Sequence, residues 1–204
     1  MEIVKFIIIE LIAYLCGSIP SGLIVAKLVK NIDIREHGSH NIGSTNVTRT
    51  LGKKWGALVL FLDGLKAIIA LYIAQFFYNN IESKQLQQIL AITSAMAILG
   101  HIFPVWLKFK GGKGIACLLF SLFYLNPILG FTFLCTWIVV FALFQISSLS
   151  ALSAVFITTF VSLSISKSYF LLLLCIGIIT FYKHKDNIIR IINGEELKFG
   201  SKHK

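Results

Sequence analysis

The stretch "IVKFIIIELIAYLCGSIPSGLIVAKLV", residues 3–29, decides the class of fold. A hydrocarbon layer is crossed by roughly 20 helical residues, and this run is longer than that. It also outlasts the apolar core of a secretory leader, about 7 to 15 residues, and carries no A-x-A-like cleavage site. It is therefore expected to persist as a membrane span. Within it, "GSIPSG" (Gly17 to Gly22) places a proline between two glycines. A membrane helix tolerates these only where neighbours satisfy the backbone groups they free, so a kink or break is expected near Pro20.

The rest of the chain repeats the pattern. Its 204 residues are 56% hydrophobic and 14% charged, against about 25% charged in an average soluble domain, and the mean hydropathy is +0.82. Further apolar runs lie at 56–78, 86–107, 115–126, 128–146, 150–166 and 169–183. The expected fold is all-α, a polytopic transmembrane helix bundle of about seven spans. Five spans is the alternative, because Asn126-Pro127 can either separate two helices or kink one, and Ser147 to Ser150 is a neutral break. No separate soluble domain fits between the runs, so residues 1–204 read as a single membrane domain.

Charge orients the bundle. Lys27, Lys30, Arg35, Arg49, Lys53 and Lys54, then Lys108, Lys110 and Lys113, then Lys183, Lys185, Arg190, Lys198, Lys202 and Lys204 make up 15 of the 19 basic residues. Either span count puts them on one face. The positive-inside rule makes that face cytoplasmic, with the amino terminus outside and the carboxyl terminus inside. Part of the net charge of +10 is thus topology, and no nucleic-acid partner is implied. Cys16, Cys117, Cys135 and Cys175 stand alone in apolar runs; they read as packing residues, with no metal site or disulfide framework.

Three polar segments share the basic face. Residues 38–49, "GSHNIGSTNVTR", set Ser39, Asn41, Ser44, Thr45, Asn46 and Thr48 among glycines and end on Arg49. Hydroxyls and amides at close range, with a planar guanidinium fork, suit an anionic, hydroxyl-bearing ligand; a polar turn with a helix cap is the plainer reading. Residues 109–114, "FKGGKG", read as a phosphate cradle. Gly111, Gly112 and Gly114 can bring backbone N–H groups against an anion, and Lys110 and Lys113 add compact charge; a flexible connector is the alternative. It is not a Walker loop, because Gly114 follows Lys113. Just before it, "GHIFP" brings His101 towards the same face.

The third segment is "HKDNIIRIINGEE", residues 184–196. His184, Asn187 and Ile188 fall at i, i+3 and i+4, on one side of a helix running out of the last apolar run, and Arg190 or Glu195 can pin the tail. In the second run Asp63 and Lys66 lie at i, i+3. An unpaired ion there is expensive, so the two pair with each other or steady the site at the cytoplasmic end.

Together "GSHNIGSTNVTR", "GHIFPVWLKFKGGKGIA" and "HKDNIIRIINGEE", with "GSIPSG" upstream, resemble the bacterial acyl-phosphate:glycerol-3-phosphate acyltransferases, integral membrane enzymes of the cytoplasmic membrane in phospholipid synthesis. The resemblance covers residues 17 to 196. It implies two substrates, acyl phosphate and glycerol 3-phosphate, a membrane-lipid setting, a partner enzyme supplying acyl phosphate, and no cofactor. By motif position Ser39 and Arg49 resemble the family's essential pair, Lys110 and the following glycines its phosphate loop, and His184 with Asn187 its third-motif pair. Where the family reads D-x-x-K-G, this chain has Ala67 in place of the glycine.

The implied chemistry agrees with the residues. Acyl phosphate is already activated, and the sequence has no G-x-S-x-G elbow and no cysteine in a polar segment. Direct attack by the substrate hydroxyl is expected, with Arg49 and Lys110 neutralising phosphate and either His184 or the donor's own phosphate taking the proton. A transporter of a small phosphorylated anion is the competing reading. Such proteins hold substrate near the midplane between internal repeats, and no repeat is visible here. A membrane scaffold explains the lysines but not the glycine, serine and asparagine pattern.

Overall fold

A computed structural model describes residues 2–199, and among them every regular element is a helix. In chain order these are α1 (Glu2–Gly17), α2 (Ser21–Lys30), α3 (Ser44–Leu51), α4 (Lys53–Phe77), α5 (Ser83–Ile102), α6 (Ile115–Leu125), α7 (Pro127–Phe144), α8 (Ser147–Ser162), α9 (Lys167–Lys183) and α10 (Lys185–Ile192). Short 3-10 turns occupy Ile34–Glu36 and Val105–Leu107. Lys202 and Lys204 of the expected basic face lie outside the described residues.

Among the described residues, four helical stretches are long and apolar enough to cross a membrane: Glu2–Lys30, Lys53–Phe77, Ser83–Leu107 and Pro127–Phe144. The runs expected as spans at 115–126 and 150–166 fold as the shorter apolar helices α6 and α8. The reason for α6 is local. Asn126 Oδ1 accepts from Ile128 N at 2.9 Å and Pro127 takes the first helical position, so α7 starts afresh there. The 11 residues left to α6 rise about 16 Å, roughly half of a hydrocarbon core. On the long helices many large apolar side chains stand outward, Leu28 at 81% and Leu143 at 71% exposure among them, as a lipid-facing surface requires.

The helix breaks where Pro20 was expected to break it, leaving residues 18–20 non-helical between α1 and α2. Side chains hold the break: Ser18 Oγ adds a bond to Tyr14 O at 2.8 Å, and Lys66 Nζ of α4 donates to Ile19 O at 2.7 Å. Glycines let α1 and α5 come into backbone contact here. A Cβ on Gly17 would run into the Ala97 carbonyl, and one on Gly100 into the Tyr14 carbonyl. Further along the same pair, Glu10 is buried and accepts from Thr93 Oγ1 at 2.8 Å.

The chain forms two compact units, Met1–Leu125 and Asn126–Lys204. The first has two apolar clusters at the two ends of α4. One gathers Val25, Ala26, Ile34, Ile42, Val47 and Val59; the other gathers Ile9, Leu71, Ala74, Tyr78 and Leu90. Leu107 packs on the first cluster, so the turn leading to Lys108, Lys110 and Lys113 lies at the same end of this unit as α3. Ala67, where the resembled motif has glycine, is fully buried between them, so packing stays tight without it. In the second unit α8 packs between α7 and α9, and α10 leans on α8 and α9.

Gly100→Val is expected to lower the stability of the detergent-solubilised protein by about 2 kcal/mol, the usual scale of overpacking. A thermal melt reads this as a fall in Tm. The exposed Ala57→Val should leave the melt unchanged.

Candidate active site

The segment from residue 31 to 43 has no regular ladder, so its backbone groups need side-chain partners. Asp33 begins the ordering. Its carboxylate accepts from Arg35 N at 2.9 Å and pairs with the Arg35 guanidinium at 2.6 Å. The hydrogen bond from that guanidinium holds the Asp33 pKa down to about 2.

Asn46, 1% exposed, does most of the rest. The two hydrogens of its Nδ2 are shared among Ile34 O (3.1 Å), His37 O (2.9 Å) and Asn41 O (2.8 Å), while Oδ1 accepts from Ser39 N at 2.9 Å. Expected from sequence as a phosphate ligand, Asn46 has its amide committed to the loop's own backbone. Asn41 Oδ1 likewise accepts from Gly43 N at 2.9 Å. On α3, Val47 enters the apolar cluster, and the opposite side carries Thr45 and Arg49, one turn apart and half-buried. Ser39, also half-buried, is tied through Asn46 to the same helix.

The glycine-lysine segment corrects a second expectation. Gly111 N donates to Ile102 O at 3.1 Å and Gly112 N to His101 O at 3.0 Å, so these amides finish the end of α5 rather than forming an anion nest. The glycines are required for space. A Cβ on Gly111 would meet the His101 carbonyl and Pro104, and one on Gly112 would meet His101 Nε2. Gly114, at φ +82°, turns the chain into α6. What the segment offers an anion is exposed Lys110, half-buried Lys113 and the positive end of α6.

Beneath this segment lie three ionisable side chains that the sequence reading left as one pair and a separate histidine. Asp63, Lys66 and His101 are 2%, 5% and 4% exposed. Lys66 Nζ lies 2.9 Å from Asp63 Oδ1 and 3.0 Å from His101 Nδ1, and His101 Nδ1 lies 3.6 Å from Asp63 Oδ1. Cys117 Sγ of α6 donates to Asp63 O at 3.0 Å.

In the second unit the helix bends at His184, between α9 and α10. The ring is buried, and its Nδ1 lies 2.8 Å from Thr180 O. A carbonyl only accepts, so Nδ1 carries a hydrogen there. Asn187 is buried one turn on, its Nδ2 donating to Glu196 Oε1. Glu196 also accepts from Ser148 Oγ at 2.7 Å and from Arg190 Nε at 2.7 Å. The tail is therefore pinned by Arg190 and Glu196 rather than by Glu195, which is exposed. Burial works against ionisation of Glu196, but the hydrogen bonds from Ser148, Asn187 and Arg190 outweigh it and hold the pKa below its ordinary value.

The family model for glycerol-3-phosphate acyltransferase matches residues 7–194. The chain belongs to the glycerol-3-phosphate acyltransferase family. A relative of that name from Wolbachia pipientis subsp. Culex pipiens is 43% identical over 96% of this chain and 98% of its own length. One from Pseudothermotoga lettingae is 39% identical over 95% and 94%. The crystal structure of PlsY, an integral membrane glycerol 3-phosphate acyltransferase in its glycerol 3-phosphate form, superposes with a TM-score of 0.87 at 35% identity, covering 96% of each chain. Its lysophosphatidic acid form superposes with a TM-score of 0.85.

For this acyltransferase-family chain, two site features lay beyond the sequence reading. Ser148 sits in what reads as a neutral break, and the choice between Glu195 and Glu196 depends on how the chain doubles back at Gly194, φ +73°. The only signal was two adjacent acids following an arginine.

Asn46→Ala should remove the side-chain partner of the Ser39 N–H and of the Asn41 carbonyl, and one of the two partners of the Ile34 and His37 carbonyls, costing roughly 3 kcal/mol. Limited proteolysis is expected to open between residues 34 and 43, with a lowered Tm. A depressed folded-state pKa means that the contribution of Glu196 is complete above its ordinary value of 4.5 and disappears as pH falls through the lower folded value. Hydrogen exchange across residues 187–199 should accelerate below about pH 4.5, and in Glu196→Gln it should be fast at neutral pH as well.

Proposed function

We propose that this chain transfers a fatty acyl group from an acyl phosphate to the primary hydroxyl of glycerol 3-phosphate, giving lysophosphatidate and inorganic phosphate. The observation that carries the reading is the family match across residues 7–194. Likeness over 96% of the chain to an acyltransferase crystallised in its glycerol 3-phosphate form supports the acceptor. Two cationic segments at one end of the first unit suit phosphate-bearing substrates, which supports the donor.

In this reading Arg49 grips phosphate with its fork, and Lys110 and Lys113 supply charge beside the α6 terminus. Ser39, Asn41 and Thr45 offer hydrogen bonds to the polyol. The hydroxyl oxygen attacks the acyl carbon, the bond to the phosphate oxygen breaks, and inorganic phosphate leaves with the electron pair. The proton goes to His184 or to the departing phosphate. Asn187 orients the acceptor. The protein would sit in the bacterial cytoplasmic membrane as one domain with its site on the cytoplasmic face, amino terminus outside and carboxyl terminus inside, drawing its donor from a partner enzyme.

Purified protein in detergent, given palmitoyl phosphate and glycerol 3-phosphate, should release inorganic phosphate and lysophosphatidate in equal amounts. Arg49→Ala and Ser39→Ala should each slow turnover by about a hundredfold or more. Detergent removes the two compartments that transport needs, so absence of turnover there would return the transporter reading. If His184→Ala kept a near wild-type rate across about pH 6 to 9, the proton would be going to phosphate.

A further inference from the structure

Lys66 has more to say than that it is paired. An ammonium has three N–H donors and no acceptor. Its nitrogen lies 2.7 Å from Ile19 O, 2.9 Å from Asp63 Oδ1 and 3.0 Å from His101 Nδ1. The carbonyl and the carboxylate only accept. The third contact is a hydrogen bond when Nδ1 accepts too, which leaves the ring's single hydrogen on Nε2. The same number of protons could be arranged as an amine beside an imidazolium. Only the arrangement with the ammonium lets the nitrogen donate to Ile19 O, Asp63 Oδ1 and His101 Nδ1 at once.

The fixed tautomer matters because of where the other nitrogen lies. Nε2 is the atom that a Cβ on Gly112 would strike, while His101 O takes the Gly112 N–H at 3.0 Å. One residue therefore meets the glycine-lysine segment through both ring and backbone. The ring itself is held from α4 by Asp63 and Lys66, with Cys117 of α6 bonded to the Asp63 carbonyl behind it.

We propose that His101 is a positioning residue, locked by Lys66 and Asp63 as the Nε2–H tautomer against Gly112, and that it sets where Lys110 and Lys113 meet a phosphate. This deepens the phosphate-binding role given above to residues 110–114 and rests on it. His101 does not touch the reacting atoms in this account. Its effect passes through the segment packed on it, so its loss should weaken phosphate binding while sparing the chemical step.

The test has two arms. In the detergent-solubilised wild type, 15N NMR of the assigned His101 ring at pH 7 should give the Nε2–H neutral pattern; an Nδ1–H or imidazolium pattern would overturn the proposal. The second arm titrates inorganic phosphate, read by 31P line broadening, into wild type, H101A, G112A and the double variant. Each single change should weaken binding by about tenfold or more, as a misplaced positioning group does. The double variant should be no worse than H101A, because the clash needs the ring. Independent, multiplying losses, or wild-type affinity in H101A, would sink the idea. Neither readout needs an acyl donor, so a wild type that binds phosphate but fails to turn over palmitoyl phosphate would count against the proposed reaction and leave this inference standing.

Discussion

A single ammonium group buried where a membrane helix is broken sets the terms for the rest of the first unit. A charge in that environment persists only when its donors are all matched, since an unmatched ion there costs several kcal/mol. Lys66 is matched by three different parts of the chain: the carbonyl that Pro20 leaves outside the helix ladder, a carboxylate one turn away, and a ring at the end of α5. Proline at 20, aspartate at 63 and histidine at 101 are therefore solutions to one problem. Removing any one would leave an uncompensated group in the interior, so the break, the pair and the loop anchor stand or fall together.

Asn46 answers the corresponding problem with a neutral group. The chain from 31 to 43 has few backbone bonds of its own, and one buried amide ties together three of its carbonyls. The division of labour is the same in both places. In each a buried polar hub holds the backbone, with half-buried Arg49 and Thr45 around one and exposed Lys110 and half-buried Lys113 beside the other. Such an arrangement suits a reaction whose donor is already activated, because what remains for the protein is placement and charge neutralisation.

Much of this was legible in the residues. Apolar run length gave helices throughout, Pro20 gave the break, and the spacing of Asp63 and Lys66 gave their pairing, because each rests on a local rule. Helix length was not legible for α6, which depends on whether Asn126 and Pro127 begin a new helix or bend an old one, a choice made by a single cap. The roles inside the polar segments were harder still. An asparagine in a glycine-rich stretch looks the same whether its amide faces a ligand or its own backbone, and only the fold says that Asn46 faces inward. The link from His101 to Lys66 joins helices 35 positions apart in sequence, and nothing in either segment alone announces it.

The glycines at 111 and 112 show how one residue pattern can serve two designs. Glycine-rich chain beside lysine suggests exposed amides cradling an anion, and that picture needs N–H groups to spare. Here both amides are used to end α5, and the missing side chains instead make room for a carbonyl, a proline and an imidazole. In the proposed reaction phosphate is then met by the lysines and by the terminus of α6. The two designs differ in what fixes geometry. A nest is shaped by its own dihedral angles, whereas this segment takes its shape from the ring it lies on, so its precision is inherited from the buried ion pair beneath. A site of charged side chains on a mobile loop would be poorly ordered; seated on Asp63, Lys66 and His101, the same lysines gain a rigid floor.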